Sequence, residues 1–299
     1  MRVLLTGSNG LFGQHLLMLL TNQQDFEVFA TGNGENRNPD GNYTYLPCDL
    51  TSEDEVKKLI GSAKPDYLIH AAAKTQVDDC EINREMCWTS NVAATQYLVD
   101  EMSKIGGHFQ YISTDFVFDG ERGSYTETDK PGPVNYYGES KLEAEIIVQD
   151  SGLSWSIVRT VLVYGVGRDI SRSNIITWIY KSLKNNQPIK VVTDQMRTPT
   201  NVNDLALGSL LVLQKGAEGI FHISGGEMMS PYDIAIKIAN YFDFDQGLIT
   251  PVDASTFSQP GKRPMKTGFI IDKARQKLGF KPKTFDESLK SLQGRFLEF

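Results

Sequence analysis

Cysteine is scarce in this chain. Only Cys48, Cys80 and Cys87 occur among 299 residues, and no two form a C-x-x-C pair. Three is an odd count, which makes no closed disulfide framework, so the expectation is reduced thiols in a cytoplasmic protein. The four histidines (His15, His70, His108, His222) are scattered without an H-E-x-x-H or similar spacing. No catalytic zinc, and no other metal, is therefore expected. No apolar run approaches the roughly 20 residues of a membrane span. The chain enters a strand pattern at Val3 without a basic leader and apolar core, so no secretory signal is expected. Positive charge is in deficit, with 30 Lys and Arg against 37 Asp and Glu and a formal charge of −7. A sequence-independent nucleic-acid binder needs the opposite sign. Nucleic acid and membrane are thus not expected partners, whereas a small anionic ligand held by a few arginines stays open.

What is present begins with Thr6-Gly7-Ser8-Asn9-Gly10-Leu11-Phe12-Gly13. The loop follows the apolar run Val3-Leu4-Leu5 and opens another, from Leu16 to Leu20. This reads as a buried strand, a glycine turn and a helix. Glycine carries no Cβ and takes positive φ readily, so the backbone here can approach a phosphate. The unpaired N–H groups and positive end of the next helix point at the same spot. The spacing differs from the G-x-G-x-x-G of many dehydrogenases, and a plain strand–helix turn fits the same residues.

Strand and helix patterns alternate through the first half. Strands are expected at Glu27–Ala30, Tyr43–Pro47, Tyr67–Ala73, His108–Thr114 and Trp155–Val163. Ser52 with Glu55 fits a capping box for a helix carrying Val56, Leu59 and Ile60. A long helix is expected over about Glu81–Ile105, and another over about Asn135–Gln149. Repeated β-α units with apolar strands give a doubly wound parallel sheet of the α/β class, with helices on both faces. Ligands then bind beyond the carboxyl ends of the strands. After Gly165 the rhythm changes. Helices near Asn174–Lys184 and Val202–Leu213, strands at Ile189–Val192 and Gly219–Ser224, and capped helices from Ser230-Pro231 and Thr284-x-x-Glu287 suggest a smaller α/β lobe. The expected division is 1–165 for dinucleotide binding and 166–299 for substrate, with some later segments returning to the first part.

Two further patterns carry chemistry. Tyr137-Gly138-Glu139-Ser140-Lys141 places a phenol and an ammonium four apart on one helix face. An ammonium nearby favours the phenolate, and such a pair can pass a proton to a substrate oxygen. An ordinary half-buried Tyr and a snorkelling Lys fit the spacing equally well. Ser113-Thr114-Asp115-Phe116 ends the fifth strand, where a hydroxyl can meet the same oxygen; Asp115 alone reads as the start of a turn. The glycine loop, the hydroxyl and the Tyr/Lys pair all fall at one crevice.

At this point the chain resembles the extended short-chain dehydrogenase/reductase family, in its branch of dTDP-4-dehydrorhamnose reductases. The motifs that carry the resemblance are Thr6-Gly7-x-x-Gly10-x-x-Gly13, His70-Ala71-Ala72-Ala73-x-Thr75-x-Val77-Asp78, Ser113 to Gly120, and Tyr137-x-x-x-Lys141-x-x-x-Glu145. Arg159-Thr160, Gln195-x-x-x-Pro199-Thr200, Gly219 to His222 and Lys262-Arg263-Pro264 look similar too. The resemblance implies Tyr137 as proton donor, Lys141 lowering its pKa and holding the nicotinamide ribose, and Thr114 orienting the substrate carbonyl. It places Gly7, Asn9, Gly10, Leu11, Phe12 and Gly13 around the pyrophosphate, and Asp49 and Leu50 at the adenine. Ala71, Ala72 and Ala73 line the middle of the cofactor, and Thr75 and Val77 lie near the sugar. Arg197 and Arg263 are candidates for the substrate's phosphates, with surface salt bridges as the plain alternative. Dimerisation is typical of this family, so a homodimer is the implied form.

The cofactor follows from the end of strand two. An NAD site usually has an acid there, but Ala30-Thr31-Gly32-Asn33-Gly34 has none, and Arg37 can reach a 2′-phosphate. NADP(H) is the expected cofactor, with NAD(H) second. Related dehydratases carry Asp-Glu after the Thr, whereas Phe116 follows Asp115 here, which argues against elimination. An epimerase uses the same Thr/Tyr/Lys set and stays open. Where the rhamnose-pathway branch has a Trp by the sugar, this chain has Leu162, an apolar wall of another shape. The rival of a different class is an NADP-binding regulatory protein, because Arg197-x-Pro199-Thr200-x-Val202 and Phe221-His222 also resemble the beta subunit of methionine adenosyltransferase. Retention of Thr114, Tyr137 and Lys141 favours the enzyme.

Overall fold

The computed structural model describes residues 1–168 and 173–296. In chain order the first part runs β1 (Arg2–Thr6), α1 (Leu11–Thr21), β2 (Glu27–Thr31), β3 (Thr44–Tyr45), α2 (Glu53–Ala63), β4 (Tyr67–His70), α3 (Val77–Ile82), α4 (Arg84–Trp88) and α5 (Ala94–Ile105). It continues through β5 (His108–Thr114), α6 (Tyr136–Gln149), β6 (Ser154–Thr160) and β7 (Val163–Tyr164). Then come α7 (Ile175–Lys184), β8 (Ile189–Val192), β9 (Thr200–Asn201), α8 (Val202–Gln214), β10 (Gly219–His222), α9 (Pro231–Phe242), β11 (Ile249–Val252), α10 (Asp272–Leu278) and α11 (Phe285–Phe296).

Seven strands form one parallel sheet in the order β10-β6-β5-β4-β1-β2-β3. The alternation of side chains along the strands sorts the core into two layers. Leu4, Phe29, Leu68, Phe109 and Ile157 face one way, onto Val56 and Leu59 of α2, Leu98 and Met102 of α5, and Ala144 and Val148 of α6. Val3, Leu5, Val28, Ala30 and Ile69 face the other way, onto Leu16 and Leu20 of α1 and Leu210 and Leu213 of α8. The strand order reverses between β1 and β4, and such a switch point opens a crevice at the carboxyl ends. Gly7, Ala71 and Thr114 all emerge there.

Several elements differ from the sequence expectation. The long helix is broken at Asn83 (φ −112°, ψ 63°) and widened into a π turn over Thr89–Ala93. π turns cluster at functional sites. The capping box at Ser52 is only half made. Its hydroxyl accepts the Glu55 N–H, but the Glu55 carboxylate reaches Asp49 N at 2.7 Å instead. The third strand shrinks to two residues, and the sixth stops at Thr160 before β7. β10, read as part of the second lobe, lies at the edge of the main sheet beside β6. The smaller lobe is built on the two-stranded β8–β11 pair. Its core joins Ile176, Ile179 and Leu183 of α7 to Ile234 and Ile238 of α9.

Candidate active site

The glycine loop is tight for identifiable reasons. Gly7 has φ +70°, and a Cβ there would lie 2.8 Å from Ala72 N. A Cβ on Gly13 would overlap the Gly7 carbonyl oxygen, so this glycine lets α1 close onto β1. Gly10 is the N-cap of α1 and supplies no side-chain cap. The first-turn amides of Leu11, Phe12 and Gly13 thus lack an intrahelical partner and face the crevice with the positive dipole end. This backbone suits a pyrophosphate. Behind it, Thr6 Oγ1 accepts the Ala71 and Ala72 amides at 3.1 and 3.2 Å. Its own proton therefore goes to His70 Nδ1 at 2.8 Å, which leaves Nε2–H for Thr95 Oγ1 at 3.2 Å. Burial pushes His70 down to about 3, so the ring is neutral.

Asn9, expected around the pyrophosphate, turns its side chain to the loop after β2. Its Nδ2 donates toward Glu35 O (2.9 Å) and Tyr45 Oη (3.0 Å), and its Oδ1 accepts Arg37 N at 3.0 Å. The side chain organises the loop between β2 and β3. That loop brings Arg37 beside the glycine turn. Asp49 accepts the Thr51 hydroxyl and amide, which hold its carboxyl below the usual range. Leu50 packs against the core layer under α2.

The catalytic candidates meet at the start of α6. Asn135 caps the helix through Gly138 N (2.8 Å) and ties it to Lys262 O (2.7 Å). A Cβ on Gly138 would overlap Phe116 O, so only glycine lets this turn sit against the exit of β5. Tyr137 is buried, with its ring edge-on to Phe116 at 5.8 Å. Burial raises its pKa, and a hydrogen bond with Thr114 opposes the rise. Thr114 Oγ1 is itself fixed by Phe116 N (3.2 Å) and Asp115 Oδ1 (3.1 Å). Lys141 is turned elsewhere than the sequence suggested. Its Nζ donates to Ile112 O at 2.8 Å and lies 4.0 Å from the Tyr111 ring centre. Burial brings it down to about 7, and Glu145 pulls the other way. The phenol is thus held protonated by burial, and Lys141 lies one helical turn behind it.

Arg197, expected at the substrate's phosphates, is held by backbone carbonyls. Its guanidinium is buried and donates to Met196 O (2.8 Å), Met265 O (2.9 Å) and Pro264 O (2.5 Å). It clamps the 264–265 backbone. Arg263 pairs with both Asp78 oxygens, Nη2 to Oδ2 at 2.7 Å. It also lines a cleft of about 210 Å³ with Trp178, Lys190, Gln195 and Phe257. Val77 packs under Gly261 of the same segment, and Thr75 is exposed at the crevice rim.

In the sequence Asp115 reads only as the start of a turn, and Asn91 has no assigned role. Asp115 is fully buried and takes hydrogen bonds from Thr114 and Thr267, with Arg197 Nε 3.8 Å away. Burial raises its carboxyl, and Arg197 opposes this. Asn91, inside the π turn, holds Lys74 N at 2.7 Å and Ser140 Oγ at 2.9 Å. It joins the Thr75–Val77 loop to the catalytic helix. A buried amide inside an apparently continuous helix was the only available hint. Among the described residues, no cluster of three His, Cys, Asp or Glu is placed to hold a metal ion.

Comparison with known proteins agrees with this geometry. A dTDP-4-dehydrorhamnose reductase structure from Clostridium acetobutylicum superposes with a TM-score of 0.88 at 31% identity, covering 100% of both chains. A dTDP-4-dehydrorhamnose reductase from Bacillus anthracis, in complex with NADP, gives 0.83 at 28% identity over 100% of this chain and 99% of that one. The methionine adenosyltransferase 2 subunit beta of Rattus norvegicus is 31% identical over 85% of this chain and 76% of its own. The RmlD substrate binding domain family matches residues 1–297. The chain belongs to this family, within the extended short-chain dehydrogenases/reductases.

Proposed function

We propose that the protein is an NADP-dependent oxidoreductase that reduces the keto carbon of a nucleotide-linked sugar, with dTDP-4-dehydrorhamnose as the substrate. The observation that carries this reading is the convergence at the mouth of the glycine-loop crevice of Thr114, which accepts the Phe116 amide, with Tyr137, whose ring packs edge-on to Phe116, and Lys141 one turn along α6. The nicotinamide, when bound, supplies a hydride to the keto carbon. Tyr137 stays protonated at neutral pH because burial raises its pKa, so it can give its proton to the sugar oxygen as charge develops there. Thr114, held by the Phe116 amide, sets the position of that oxygen. Lys141 sits where an ammonium can leave the Ile112 carbonyl for a ribose hydroxyl and replenish the phenol.

Residues 1–165 hold the dinucleotide and the later lobe the sugar nucleotide, with β10 returning to the first. Arg37 serves the 2′-phosphate and Arg263 the substrate's phosphates. The protein works in the cytoplasm as a homodimer. The test mixes pure protein with NADPH and dTDP-4-keto-6-deoxy-L-mannose and follows the fall in reduced-nicotinamide absorbance. Turnover is expected, NADH should be the poorer donor, and Tyr137→Phe should lower the rate by roughly 10²–10⁴ while still binding NADPH. Tight NADPH binding without turnover on any keto-sugar nucleotide would overturn the reading. It would favour the regulatory role suggested by the 31% likeness to the adenosyltransferase subunit.

A further inference from the structure

One contact spans the glycine loop from outside both lobes of the site described so far. Gln14, in the first turn of α1, is buried. Its amide pairs with the backbone of Arg168 in both directions, Nε2 to Arg168 O at 2.8 Å and Oε1 from Arg168 N at 2.9 Å. The same Nε2 reaches Asn9 O in the glycine loop at 3.1 Å. Arg168 is thereby fixed to one flank of that loop. On the other flank, Asn38 Nδ2 reaches Ser8 O at 3.4 Å, and Asp40 follows two residues later. The Arg168 guanidinium bridges the gap, Nη1 to Asp40 Oδ2 at 2.8 Å.

This ion pair therefore joins two segments that are tied, through Gln14 and Asn38, to the Asn9 and Ser8 carbonyls of the glycine loop. Both partners are well exposed, 63% and 76% of their side chains. An exposed pair of this kind contributes little to stability. A guanidinium held near a phosphate site has a better partner than a single carboxylate, because a phosphate offers more charge and a bidentate edge.

We infer that Arg168 and Asp40 form a clasp over the dinucleotide crevice, in which Arg168 takes a cofactor phosphate and Asp40 competes for it. The inference rests on the proposed dinucleotide binding and adds a residue to it. The shared chemistry is a phosphate oxygen, whose source is either the pyrophosphate or the 2′-phosphate. Gln14 acts as a positioning residue that keeps Arg168 within reach.

The test is direct binding of NADPH and of NADH to the full chain, by nicotinamide fluorescence and calorimetry, with no sugar present. Arg168→Gln should weaken binding about tenfold, the loss of one hydrogen bond to a charged group. Equal losses for both nucleotides assign the pyrophosphate, and a loss confined to NADPH assigns the 2′-phosphate. Asp40→Asn should tighten binding about two- to threefold by removing the competitor. Gln14→Leu should weaken binding in the same nucleotide pattern as Arg168→Gln. Unchanged dissociation constants in Arg168→Gln for both nucleotides overturn the clasp. A wild-type chain that binds neither nucleotide overturns the underlying reading, so the two failures are distinct.

Discussion

Glu145→Gln is the substitution whose cost the structure defines most closely. Glu145 and Arg159 face each other between α6 and β6, with Nε to Oε1 at 2.9 Å and Nη2 to Oε2 at 2.6 Å. Their side chains are 0% and 2% exposed. Arg159 also lies 5.1 Å from the Phe118 ring centre, and its Nη1 has no hydrogen-bond partner among the described residues. The guanidinium therefore depends on one carboxylate for its charge. Removing that charge at constant shape leaves a buried cation, and such losses run to about 3–5 kcal/mol. For a chain of this size, that corresponds to a fall in Tm of about 5–8 °C. Guanidinium chloride unfolding followed by circular dichroism measures it. The double variant Glu145→Leu/Arg159→Met should recover to within about 1 kcal/mol of wild type, because two apolar side chains fill the site without stranded charge. The reasoning is refuted if the single change costs under about 1 kcal/mol, or if the double variant is no better than the single one.

Other outcomes follow from the same site. Lys141→Met should abolish turnover yet stabilise the fold. The folded Lys141 titrates near 7 against an ordinary 10.5, so the unfolded chain binds more protons between those values. Wild-type stability should then rise with pH from about 7 towards 10, and the Met variant should lose that slope in a series of urea midpoints. Gly13→Ala should lower stability by about 1–3 kcal/mol and remove NADPH binding together, because its methyl group would collide with the Gly7 carbonyl and Ser8 Cα. A thermal shift with a parallel fluorescence titration reads both.

The alternating sheet was plain in the sequence because its strands are short apolar runs between glycine and proline signals. Gly7, Gly10 and Gly13 were legible because glycine at fixed spacing reports a backbone demand, and the structure supplies that demand at Ala72 and Gly7. Tyr137 and Lys141 were legible by helical spacing, but the direction of Lys141 was not. Nothing in Y-x-x-x-K says that a strand carbonyl, Ile112 O, will take the ammonium. The contacts of Arg197 were hidden for a related reason. A basic residue in a loop looks like an anion ligand until the backbone it holds, residues 264 and 265, is brought beside it by the fold. Asp115 and Asn91 share this property, since their partners lie 152 and 49 residues away along the chain. The place of β10 was hidden too. An apolar run does not state which sheet edge it will join.

That last strand has a consequence for biosynthesis. β6 pairs with β5 on one side and with β10 on the other, in the register Ser156 to Arg159 against Gly219 to His222. During translation the second partner does not exist until residue 222 has left the ribosome. Throughout that interval β6 presents an open row of amides and carbonyls, the kind of edge on which strands from other chains add. A product terminated at residue 165 would keep that edge permanently. It should associate on a gel-filtration column where the full chain does not show such aggregates, and the smaller lobe thus acts in part as the tether that delivers the closing strand.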